Sequence, residues 1–124
     1  MDVTPLVPKG QQVLSGYGGG GFKINNEFFP GSRLVLPGEH HGWDIAEASA
    51  ITLESLAAVA AHAEVLDLLI IGSGKNMAFI APNIRAFFKE RGIAVETMDT
   101  GAACRTYNVL LAEGRRVAAA LIAV

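Results

Sequence analysis

The sequence predicts an α/β protein: a layered fold with a central mixed, mainly parallel sheet flanked by helices, plus an N-terminal antiparallel β layer. Three observations carry this expectation. The second half alternates near-continuous apolar runs with segments of helical period, the pattern of strand–helix–strand units. The first half instead holds short strand-like runs broken by Asn-Asn and Pro-Gly, the pattern of hairpins. The composition is 51% hydrophobic and 18% charged, which is globular and not disordered.

The elements follow in order. Residues 1–20 read as an irregular N-terminal segment, with Gly18–Gly21 as a flexible or bulged start to the first strand. Phe22–Ile24 is a short strand, Asn25-Asn26 a turn, and Glu27–Phe29 and Arg33–Leu36 are strands parted by Pro30-Gly31. Pro37–Asp44 reads as a loop. Thr52 is placed to cap a helix whose apolar face is Leu53, Leu56, Ala57 and Ala60, with His62 at its end. Val65–Ile71 is then a strand buried on both faces.

Pro82 suits the first turn of a helix over Pro82–Arg91 that turns Ile84, Phe87 and Phe88 inward. Gly92 caps it, Ile93 can touch Phe88, and Ile93–Met98 is the next strand. Thr100–Glu113 is a helix with Ala103, Tyr107, Leu110 and Leu111 on one stripe, and Arg116–Ala123 is the last strand. Two crossover connections therefore join neighbouring parallel strands. No linker or repeat interrupts the 124 residues, so one domain over 1–124 is expected.

Charge and targeting patterns narrow the function classes. The net charge is −2 and the basic residues are scattered, so no nucleic-acid partner is expected. Cys104 is the only cysteine, which points to a reducing compartment. The N-terminus lacks the apolar core of a secretory signal. Apolar runs such as Val117–Val124 fall far short of the ~20 residues of a spanning helix. A cytoplasmic location without a membrane span is the simplest expectation.

Two segments are candidates for binding. Gly72, Ser73, Gly74 and Lys75 follow a buried strand, where glycine N–H groups and a lysine can face an anion. The segment is no Walker A loop, because Leu69 stands where the first glycine is needed, and Met77 breaks a GxGxxG match. A strand-ending turn is the alternative reading, yet the ten-residue connection Gly72–Ala81 exceeds the ~2–6 usual for such loops. The second segment is Asp99–Asn108, where Asp99 or Thr100 can cap a helix. Cys104 lies one turn in beside Arg105, a setting that favours thiolate, although a buried and inert cysteine explains it equally.

Arg105 and Asn108 share a helix face that can order the preceding loop or meet a partner. Both segments belong at carboxyl ends of parallel strands, where open α/β sheets place their crevice, so Gly72–Lys75 and Thr100–Arg105 are expected to border one pocket. A third cluster, Glu39-His40-His41-Gly42-Trp43-Asp44, has no established ligand spacing. It reads as a solvated loop with Trp43 tucked against the core. No metal, cofactor or catalytic residue is predicted.

A longer pattern runs through these segments. Pro30-Gly31-Ser32 leads into Leu34–Pro37, then come Trp43, Ile70–Gly74, Gly92-Ile93, Val95–Thr100, Ala102–Leu110 and Glu113–Leu121. This pattern resembles the small single-domain family that includes mitochondrial complex I assembly factor 3 and adipogenesis-associated relatives. The resemblance runs from about Phe22 onward and is most specific over Met98–Asn108. It implies a layered α/β fold with an additional β layer, no established enzyme activity and no established cofactor. It also implies protein partners such as respiratory-complex subunits or assembly factors. Two readings of the function result: a non-enzymatic accessory protein acting through its surface, as a monomer or homodimer, or a small-molecule or anion binder using the crevice.

Overall fold

A computed structural model describes residues 11–124. Among the described residues, eight strands form two sheets. The first sheet is antiparallel, with β1 (Leu14–Gly18), β2 (Gly21–Ile24) and β3 (Glu27–Pro30) in the order β1-β2-β3. The second holds β4 (Ser32–Leu36), β5 (Glu39–Trp43), β6 (Leu68–Gly72), β7 (Ala94–Met98) and β8 (Val117–Leu121), in the order β5-β4-β8-β6-β7. Its β8-β6 and β6-β7 pairs are parallel, and its β5-β4 and β4-β8 pairs are antiparallel. The central sheet is thus mixed, with a β layer beside it, as the sequence predicted.

Alternation along the strands divides the core between the two faces of this sheet. Leu34, Leu36, Leu69, Ile71, Ala118 and Ala120 pack with Trp43, Leu56, Val59, Ile84 and Phe88 on one side. Val35, Leu68, Ile70, Val117, Ala119 and Leu121 pack with Phe22, Ile24, Cys104 and Tyr107 on the other. Helix α2 (Pro82–Lys89) lies on the first face, and helix α3 (Thr100–Ala112) with the three-stranded sheet on the second. Strands β6 and β8, covered on both faces, are buried at every position, and this is why they read as unbroken apolar runs.

The helices start and stop as their residues dictate. Pro82 sits in the first turn of α2. Its end folds back through Ile93 N–H donating to Phe88 O at 2.9 Å, with Gly92 at φ +76°. Asp99 caps α3 by accepting from Ala102 N–H at 2.9 Å. Arg91 lies over the Phe87 ring, 3.5 Å from its centroid, so Phe87 is half-buried and Phe88 is the fully enclosed one.

Four local expectations need correction. Residues 1–10 lie outside the described residues, but 14–18 are not irregular, since they form β1. The glycine run is no flexible start to β2. Gly19 and Gly20, at φ +64° and +80°, form the two-residue turn of the β1–β2 hairpin, a conformation that residues with a Cβ resist. Pro37–Asp44 is no loop, because Glu39–Trp43 pair in full register with β4. Trp43 is nevertheless tucked in, donating its Nε1–H to Ser55 O at 2.9 Å.

The helix expected from Thr52 is the fourth. It is a chain of single turns: 3₁₀ turns at Glu54–Leu56 and Ala63–Val65 around α1 (Ala57–Ala60). The inward residues Leu53, Leu56, Val59 and His62 recur every third position, the 3₁₀ period, whereas Ala57 faces out. Thr52 Oγ1 accepts from Ser55 N–H at 3.1 Å, but the N-cap of the first turn is Leu53, one residue further on. Val65 is exposed at the end of the last turn, so β6 starts at Leu68.

Candidate functional site

The carboxyl ends of β6 and β8 and the amino end of α3 meet, and the junction is closed. Thr100, wholly buried, accepts from Gly74 N–H through Oγ1 at 2.9 Å and donates to Ile122 O at 2.7 Å. Thr100 N–H donates in turn to Gly74 O at 2.8 Å. Ser73 N–H is spent on Met98 O at 2.9 Å, and Ile122 N–H on Gly72 O at 2.9 Å. The groups expected to cradle an anion are therefore largely consumed in joining β6, β8 and α3.

Gly72 serves the same junction. A Cβ there would lie 3.0 Å from Leu121 Cδ2 and 3.1 Å from both Ala103 Cβ and Thr100 Cα. Glycine is what lets α3 sit so close to the strand end. Gly72 and Thr100 thus stand together, and so do Gly74 and Thr100.

Lys75 and Cys104 do not share a pocket. Lys75 is exposed and borders a groove of about 500 Å³ whose other walls include Glu47, Ala48, Ser49, Asn76 and Ile122. Cys104 is buried under the second core, and that burial pushes its thiol up to about 12 against a smaller downward pull from Arg105. Of the two readings open for Cys104, the environment is that of an inert buried thiol.

The polar face of α3 orders a different neighbour from the preceding loop. Asn108 Oδ1 accepts from Leu14 N–H at 3.0 Å, and Asn108 Nδ2 donates to Leu14 O at 2.6 Å. Its amide stands in for a neighbouring strand at the edge of β1. Tyr107 donates to Gln12 O at 2.7 Å, and Arg105 Nη1 donates to the Tyr17 hydroxyl at 2.9 Å. Arg105 and Asn108 thereby hold β1 of the antiparallel sheet, and Tyr107 holds Gln12 just before it. Tyr17 and Leu14 escaped sequence reasoning because the strand they occupy was not foreseen.

The loop after β6 is overlong, as noted, and it is pinned. Ser73 Oγ accepts from Ala78 N–H at 3.0 Å and donates to Asn76 O at 2.8 Å. The loop so held carries Met77, 52% exposed, and Phe79, 87% exposed. Phe79 is the most exposed large apolar side chain among the described residues. Its signal in the sequence was an aromatic inside a connection with no helical or strand period.

The histidine cluster is dispersed over the two sides of β5. Glu39 Oε1 lies 3.3 Å from His41 Nε2 and 3.1 Å from His62 Nε2, while His40 turns to Arg33. Among the described residues no group of three His, Cys, Asp or Glu side chains could hold a metal ion, and no helix is long and apolar enough to cross a membrane.

Residues 14–122 match the family model described as "Protein of unknown function (DUF498/DUF598)". The chain belongs to this family. It is similar to NADH dehydrogenase [ubiquinone] 1 alpha subcomplex assembly factor 3 of Xenopus tropicalis, 37% identical over 86% of this chain and 58% of that protein. The corresponding protein of Danio rerio is 36% identical over 89% and 63%. The chain spans about three-fifths of these assembly factors' length.

Among solved structures, one described as an outer membrane protein from Bartonella henselae aligns with a TM-score of 0.87 at 36% identity, covering 96% of this chain and 99% of that one. A Mth938-like domain from Bordetella pertussis aligns with a TM-score of 0.81 at 28% identity, covering 98% and 92%. The family resemblance read from Met98–Asn108 and its companions is therefore correct.

Proposed function

We propose that this protein is a non-enzymatic accessory factor of assembly type that works through surface contacts with protein partners, including those that build respiratory complex I. The observation that carries the reading is Phe79, 87% exposed on a loop fixed at its base by the Ser73 hydroxyl. A large aromatic held out by a preorganised loop costs little ordering on binding, and such residues dominate interface energies. The internal use of Thr100, Gly74 and Asn108 supports the same reading, since those groups serve the fold. The names of the assembly-factor relatives support it further.

The test is complementation in a bacterium lacking its own relative and deficient in complex I. The unsubstituted chain is expected to restore the assembled complex on native gels. The double variant Met77→Ser, Phe79→Ser is expected to keep its melting temperature and restore far less. Full restoration by the variant would remove the loop from the mechanism, and no restoration by the unsubstituted chain would remove the complex I role.

One observation favours a second reading. The groove beside Lys75 has a volume of about 500 Å³, within the usual range for small-ligand sites. In that case phosphate or carboxylate compounds raise the melting temperature, and Lys75→Ala abolishes the rise.

A further inference from the structure

The joint between the two sheets contains a group that the proposed function does not use. Arg33 on β4 donates from Nη2 to His40 Nδ1 on β5 at 2.6 Å. The Arg33 guanidinium also sits 4.9 Å from the centroid of the Phe29 ring on β3, and the His40 ring meets Phe29 edge-on at 4.4 Å. One residue from each of three strands closes this triad. It links the antiparallel sheet to β5, which is an edge strand of the central sheet.

A guanidinium has only donors, so His40 Nδ1 must be an acceptor here, and the neutral ring carries its hydrogen on Nε2. A proton on Nδ1 would turn the contact into two donors and two like charges face to face. We propose that Phe29, Arg33 and His40 form a proton-operated latch, closed while His40 is neutral and opened when His40 takes a proton. Opening frees β3 from β5 and uncovers the Phe29 ring.

The surroundings agree with this polarity. Burial, then Arg33 and then His41, hold His40 below the ordinary histidine range, and Glu27 on β3 opposes them only in part. Arg33 Nε is buried without a partner among the described residues, so the bond to His40 is not one of many holding the guanidinium. On the other side of β5, Glu39 reaches His41 and His62, contacts that protons on those rings strengthen. That side stays tethered while the Phe29 side lets go.

The sign of the effect follows from linkage. A histidine whose folded pKa is depressed favours the fold in its neutral state. Its contribution is whole above the unfolded histidine value of ~6.5 and is lost as pH falls from there through the folded value.

The experiment is a pH series from 7.5 to 5 on the whole chain, following histidine ring and Phe29 ring signals by NMR and amide exchange by residue. His40 is expected to titrate below the ordinary histidine value, with the Phe29 signals moving at that same midpoint. Exchange at 27–29 and 39–43, corrected for its intrinsic pH dependence, is expected to speed up about tenfold for each unit by which His40 is displaced. Amides of β6 and β8 serve as the internal control and should stay protected.

His40→Asn keeps an acceptor for Arg33 at every pH, so it should stay latched and lose the pH response. A His40 that titrates at or above the ordinary histidine value would overturn the proposal, as would Phe29 signals that ignore its titration. Unchanged acid loosening in His40→Asn would overturn it as well. Should that variant unfold, Arg33→Gln provides the same test, because removing the guanidinium should raise the His40 midpoint and uncouple Phe29 from it.

Discussion

Thr100→Val is the sharpest test of whether the strand–helix junction is built for the fold or for a ligand. The substitution keeps the shape of the side chain and removes only its hydroxyl. That hydroxyl is wholly buried, accepts from Gly74 N–H and donates to Ile122 O. Valine strands one donor and one acceptor where water does not reach. An unsatisfied buried group costs about 1–3 kcal/mol, so the pair should cost roughly 2–6 kcal/mol. For a chain of this size that corresponds to a fall in melting temperature of about 10 °C or more.

Urea unfolding followed by circular dichroism measures the effect, with an unchanged slope expected because the exposed area is the same. Thr100→Ser, which retains both bonds and loses one methyl, should cost only about 1 kcal/mol. A Thr100→Val chain within about 0.5 kcal/mol of the parent would refute the reasoning. A gain in stability would point instead to a site kept polar for a ligand at the expense of the fold.

Two further outcomes follow from the same helix. Asn108→Ala removes both bonds to Leu14 and should destabilise by about 1–3 kcal/mol, with faster amide exchange across 14–18 and little change in β6. Cys104 should resist iodoacetamide at pH 8 on the timescale that labels it fully in urea, since burial keeps the thiol protonated and covered. Because burial raises this pKa, the associated stability is complete below the ordinary thiol value and fades as pH rises toward 12; Cys104→Ala should flatten that part of the alkaline limb.

The sequence made one face of the architecture plain and hid another, for a physical reason in each case. Strands β6 and β8 announced themselves because helices or sheets cover both faces, which forces an unbroken apolar run. The stop of α2 at Gly92 was legible, and the cap of α3 was narrowed to Asp99 or Thr100, because both rest on local hydrogen bonds between near neighbours. Strands β1 and β5 were not. Leu14-Ser15-Gly16-Tyr17-Gly18 and Glu39-His40-His41-Gly42-Trp43 carry too few apolar residues to signal a strand, and long-range pairing alone holds them. Asn108 is the extreme case, because its partner lies 94 positions away and is a peptide group that no residue type reveals.

That same contrast separates structural from functional residues in the candidate site. Gly72, Gly74, Thr100 and Asn108 looked like ligand-binding chemistry because glycines, hydroxyls and amides at a strand–helix junction serve either purpose. Their hydrogen bonds decide among them: each polar atom that finds a partner inside the chain is one fewer offered outward. Applied along the junction, this test leaves the Lys75–Ala81 segment, where Lys75, Met77 and Phe79 are exposed. The Ser73 hydroxyl that pins its base also faces inward, bonding only its own loop and Met98 O. The junction therefore acts as a rigid mount for one protruding loop, and substitutions should divide accordingly. Those beneath the loop should lower stability first, whereas those on its tip should leave stability intact and act on partner contact alone.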